Sequence, residues 1–77
     1  MKVRTANRVV DGIRLGFEWH GGEYIEVSYN GQPSDVINVW DYEMGRALIE
    51  DDSEFRAEVD NYIAEEDIVT NYENYRY

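Results

Sequence analysis

The chain contains no cysteine, which removes disulfides, thiolate metal sites and thiol nucleophiles from consideration. Its basic residues number only seven, against 17 acidic ones, giving a net charge of −10 at pH 7 over 77 residues. Affinity for phosphates comes mainly from lysine and arginine releasing counterions, so this deficit argues against direct contact with nucleic acid or an anionic membrane. The natural partner of such a surface is basic. No apolar run reaches the roughly 18 residues of a membrane span, and "MKVRTANRVV" carries Lys2, Arg4 and Arg8 with no signal-like apolar stretch. A cytoplasmic protein is expected.

The usual sequence marks of catalysis are missing as well. His20 is the single histidine, and no nucleophile-elbow glycine pattern surrounds Ser28, the nearest serine in sequence. Gly12, Gly16, Gly21, Gly22, Gly31 and Gly45 match neither phosphate-loop nor dinucleotide spacing. "EDDSEFRAEVD" lacks the turn glycine that gathers carboxylates around calcium. The expectation is a non-enzymatic protein with no catalytic residue, no cofactor and no metal site. Trp19, Tyr24 and Trp40 are candidates for stacking on bases, but without a basic groove core packing is the commoner role.

What is present is a chain that should fold. Hydrophobic residues make up 43% and aromatics 14%, well above an acidic disordered tail, and the length suits one domain spanning 1–77. Ile13, Leu15, Phe17 and Trp19 alternate with polar residues and glycine, the period of a half-buried strand, and Ile25, Val27 and Tyr29 repeat it. A three-residue loop, His20-Gly21-Gly22, keeps the apolar faces matched. It sets Phe17 opposite Ile25, Leu15 opposite Val27 and Ile13 opposite Tyr29, with Gly22 in the left-handed conformation.

"NGQPS" (30–34) reads as the next turn and "DVINVWD" as the next strand, apolar on both faces and therefore either covered on both sides or part of an interface. "KVRTANRVV" offers a further strand through an Asp11-Gly12 turn. In "YEMGRALIEDD" Gly45 argues for no more than a turn of helix near 46–49.

Residues 50–67 carry nine carboxylates and one cation, Arg56. Phe55, Val59, Tyr62 and Ile63 recur at helical spacing, and Asp51 with Glu54 has the spacing of a capping box, so a helix over 52–66 is predicted. Its acids face water. The following "IVTNYENYRY" (68–77) reads as a last strand, an ordered tail on the sheet or a binding segment.

The expected architecture is α+β: an antiparallel meander of three or four strands (13–19, 23–30, 35–41 and the candidate strand 2–10) covered on one face by the acidic C-terminal helix. "VINVWDYEMG" (36–45) resembles a stretch of small bacteriophage and prophage proteins in which a strand ending in Trp-Asp runs into a glycine turn and an acidic helix, a likeness that covers about residues 12–66. Size and acidity are also similar in type to phage-encoded inhibitors of host defence. The resemblance of residues 36–45 implies no activity, and no inhibitor motif carries over residue by residue.

Two functional expectations follow. In the first, Asp51, Asp52, Glu54, Glu58, Asp60, Glu65 and Glu66 form a surface that imitates nucleic acid and binds a basic, nucleic-acid-handling protein. In the second, Val36, Trp40, Tyr72 and Tyr75 form a homodimer contact and the acids serve solubility alone.

Overall fold

Two tight turns organise the sheet in the computed structural model, which describes residues 3–75. Asp11 and Gly12 have φ of 51° and 80°, and Asn30 and Gly31 have φ of 49° and 85°. Both pairs thus take two successive left-handed residues, the twist-compatible hairpin turn that Asp-Gly and Asn-Gly favour. They join β1 (Arg4–Val10) to β2 (Ile13–Trp19) and β3 (Tyr24–Tyr29) to β4 (Gln32–Asn38). The sheet is a four-stranded antiparallel meander in the order β1-β2-β3-β4, and α1 (Tyr42–Glu50), α2 (Asp52–Glu65) and α3 (Ile68–Tyr75) follow it. The fold is α+β. Lys2, included in the expected first strand, and Arg76 and Tyr77 of the tail lie outside the described residues.

The central hairpin differs from the expected register by two residues. Leu15 pairs with Tyr29 and Phe17 with Val27, so a four-residue connection, 20–23, replaces the three-residue loop. Apolar faces still match, because a shift of two preserves side-chain parity. The longer loop is fastened from two sides: the Trp19 indole N–H donates to the Gly22 carbonyl at 2.9 Å, and the Val39 amide donates to the Glu23 carbonyl at 2.8 Å. Gly21, not Gly22, takes the left-handed conformation, with φ 88°.

β4 begins at Gln32 and not at 35, since the Asn30-Gly31 turn needs only two residues. A register shift opposite Val27 and Ser28 accommodates the extra residue, and Pro33 is tolerated because β4 is an edge strand. The strand stops at Asn38 because Asp41 caps α1, its carboxylate accepting from the Met44 amide at 2.8 Å. Helix α1 therefore runs nine residues straight through Gly45, longer than the single turn expected. The tyrosine-rich tail forms a third helix.

One core joins sheet and helices. Ile13, Leu15, Phe17, Trp19, Ile25, Val27 and Tyr29 from the sheet meet Leu48, Phe55, Val59, Tyr62 and Ile68 from the helices. The Phe17 and Tyr62 rings meet edge to face, with centroids 5.7 Å apart. Arg4 is the buried exception, 7% exposed at the corner between α1 and α2. Its guanidinium donates to the Leu48 carbonyl (3.0 Å), the Ile49 carbonyl (2.8 Å) and Asp52 Oδ1 (3.2 Å). A cation thus satisfies carbonyls that the C-terminus of α1 would otherwise leave unpaired, while also meeting an acid in the first turn of α2. No helix among the described residues is long and apolar enough to cross a membrane.

Two stability predictions follow from these contacts. A methyl group added at Gly45 would lie 3.6 Å from Val39 Cγ1, an ordinary contact. Gly45→Ala should raise unfolding free energy by about 0.5–1 kcal/mol in a urea titration, from helix propensity alone. Arg4→Ala should lower it by about 2–3 kcal/mol by stripping donors from partly buried carbonyls. Arg4→Lys should recover only part of that, because an ammonium cannot span the same fork of acceptors.

Candidate functional site

Helix α2 lays Phe55, Val59 and Tyr62 on the sheet, which places its acids on two flanks. Residues 52, 56 and 60 lie along one side and 54, 58, 61 and 65 along the other, by the 3.6-residue period. The two flanks have opposite electrostatic fates.

On the β1 flank the acids are spent on internal pairs. Asp52 meets Arg56 at 2.7 Å and Arg4 at 3.2 Å, and Asp60 lies 3.5 Å from Arg8. The hydrogen bond from Arg56, with the charges of Arg56 and Arg4, holds the Asp52 carboxyl below its usual range. Asp51 is the α2 cap, its carboxylate accepting from the Ser53 hydroxyl (2.7 Å) and amide (2.9 Å), and those bonds lower its pKa. The expected reach of Asp51 to residue 54 is replaced by this shorter turn to Ser53.

On the β4 flank Glu54, Glu58, Glu65 and Glu66 form no ion pair with any described residue. Glu58, Glu65 and Glu66 line a cleft of about 380 Å³ between α2 and the edge strand, opposite Asp35, Val36, Asn38 and Trp40. Four carboxylates thus border one groove with no described arginine paired to them. Of the seven acids expected to act together, the structure gathers three here, leaves Glu54 exposed beyond the cleft on the same flank, and commits Asp51, Asp52 and Asp60 elsewhere.

Asp35 is the residue that sequence reasoning missed. It alternates with Ile37 and Val39 and therefore faces the helices, where an acid requires a donor. The Tyr62 hydroxyl supplies it, donating to Asp35 Oδ2 at 2.7 Å. Since that proton is committed, the Tyr29 hydroxyl donates to Tyr62 at 2.7 Å, and Asn71 Nδ2 in turn donates to Tyr29 at 3.2 Å and to Glu66 Oε1 at 3.1 Å. This relay runs from α3 through β3 and α2 to β4 and fixes the floor of the cleft.

The residues expected at a homodimer contact are dispersed. Tyr72 packs against the core and the Tyr75 ring lies edge-on to Tyr29, centroids 5.3 Å apart. Val36 and Trp40 are exposed. Trp40 is 80% exposed and borders two depressions: the acidic cleft, and a more apolar one shared with Val39, Tyr42 and Ile49. No family model, curated protein or solved structure matches the chain.

Burial, together with the hydrogen bonds to Tyr29 and Asp35, pushes the Tyr62 pKa well above the usual value of 10.0. In the unfolded chain the phenol ionises near pH 10, whereas the folded chain holds it neutral. Its contribution to stability is therefore complete below about pH 10 and is lost as pH rises above that value. An absorbance titration of tyrosinate should show a late step that coincides with unfolding and is missing in Tyr62→Phe. The same variant should be about 1–3 kcal/mol less stable at neutral pH.

Proposed function

We propose that this chain is a non-enzymatic interaction module that takes a basic segment of a partner protein into the cleft between β4 and α2. The observation that carries the proposal is the sorting of charge: α2 neutralises its β1 flank and leaves Glu58, Glu65 and Glu66, with Asp35, around one groove with no ion pair to any described residue. An exposed tryptophan at the rim adds an anchor of the kind that dominates binding energy, and its ring face can also take an arginine. The stripe Glu54, Glu58, Glu65 places like charges about 6 Å and then about 10 Å apart along the helix axis, a row of negative charge that can stand in for part of a phosphate track.

A basic, nucleic-acid-handling protein is the partner this surface suits. The similarity in size and acidity to phage-encoded inhibitors of host defence favours a host protein as target, with inhibition in the host cytoplasm as the outcome. A second reading, self-association, draws on the exposure of Trp40, Tyr42 and Ile49 around the neighbouring apolar depression.

Affinity capture from a bacterial lysate at low and high salt, with retained proteins identified by mass spectrometry, separates the two. The expected outcome is a basic protein held at low salt and released at high salt. Its binding should weaken at least about tenfold with Glu58→Lys plus Glu65→Lys, and also with Trp40→Ala, and be unchanged with Asp60→Asn. If the charge reversal leaves capture intact, the cleft is not the binding surface. Recovery of this chain alone, with a smaller gel-filtration size for Trp40→Ala, would favour self-association.

A further inference from the structure

On the sheet face opposite the helices, Glu18, His20 and Glu26 each bring one potential ligand atom to within 4.8 Å of the others. The arrangement follows from strand geometry. Glu18 lies near the end of β2 and His20 just past it, close enough for the imidazole to meet the Glu18 carboxylate, and Glu26 is the direct cross-strand partner of Glu18. The observed register creates it: with the three-residue loop expected from the sequence, Glu18 would have stood opposite Tyr24.

Two glutamates directly opposed across antiparallel strands repel each other, and none of the ion pairs among the described residues brings an arginine to either. The imidazole lies instead on this pair, with Nε2 2.8 Å from Glu18 Oε1. Helix α2 and its acids lie on the other side of the sheet, so this trio is distinct from the cleft.

We propose that Glu18, His20 and Glu26 bind a divalent transition-metal ion, zinc being the one their donor set suits. One imidazole nitrogen and two carboxylate oxygens supply the three protein ligands that an open zinc site uses, with one nitrogen fewer than a set of two histidines and a glutamate, and the nitrogen selects against magnesium and calcium, which prefer oxygen alone. Donors in a zinc tetrahedron stand about 3.3 Å apart, from bond lengths of about 2.0–2.1 Å. The side chains are half exposed, at 56% for His20 and 51% for Glu18, so rotation about their own bonds can close the remaining distance. The cation would convert the Glu18–Glu26 repulsion into two attractive contacts and tie β2 to β3 beside the 20–23 connection.

The test is calorimetric titration of the full chain with zinc chloride in metal-free buffer, beside the same titration with magnesium chloride. Saturable one-to-one binding of zinc, without comparable magnesium binding, is expected. Because His20 is the single histidine, its imidazole NMR signals report this site alone and should shift in step with the calorimetric curve. His20→Ala and Glu26→Gln should each weaken zinc at least about tenfold, as loss of even an outer-shell partner does so, with unchanged circular dichroism in the absence of metal. Equal affinity in both variants, or zinc binding accompanied by static His20 signals, would place the ion elsewhere on the acidic surface and overturn the proposal. Matching zinc and magnesium isotherms would overturn it too, as simple charge condensation.

Discussion

Burial of the Phe55, Val59 and Tyr62 stripe is the constraint on which the rest of the molecule depends. Phe55 and Val59 are fully buried, and a small domain with no disulfide has little besides such burial to hold its layers together. Once that stripe is committed, the rotation of α2 is fixed and every acid on it is assigned a flank. The Arg4 guanidinium sets the other coordinate, pinning the corner where α1 ends and α2 begins. Packing, acting on apolar residues, thereby decides the electrostatics.

The consequence is a surface less uniform than a net charge of −10 implies. Screening by salt makes a widely spread negative field weak beyond about 10 Å, whereas several uncompensated carboxylates around one groove act together at contact distance. The Tyr62 to Asp35 hydrogen bond matters here in two ways. It holds β4 against α2, and it keeps one carboxylate oriented at the floor of the groove without the arginine that would cancel its charge. A donor that carries no charge satisfies the acid and preserves the field.

Much of this fold was legible from residue periodicity. The 13–19 strand and the helix from 52 have strong alternation or a clear apolar stripe, and both lie where they were expected. Helix α1 was obscured by Gly45, whose helix penalty is small beside the burial of Leu48 and the cap from Asp41. α3 was obscured by its tyrosines, equally at home in strands and at interfaces. In the site, the acids of α2 were visible as a group, but their division was not, because Arg4 and Arg8 approach Asp52 and Asp60 from 48 and 52 positions away in sequence. Asp35 carried a signal in its alternation with Ile37 and Val39 that only a helix-facing partner makes interpretable.

The register of the central hairpin shows how one face of a sheet governs the other. A two-residue slip leaves the apolar side chains on the helix side and therefore changes little in core parity. On the open face the same slip exchanges every cross-strand neighbour, so what distinguishes the alternatives is local: the Trp19 indole bond to Gly22 within the four-residue connection, and the ladder that pairs Leu15 with Tyr29 and Phe17 with Val27. Those bonds hold the core hairpin at the cost of setting Glu18 against Glu26. An unfavourable pair can persist where packing outweighs it, since exposed like charges cost a fraction of what burial of a tryptophan contributes. The charge on the open face and the charge in the cleft thus share one origin: the core was settled first, and the acids took the positions that remained.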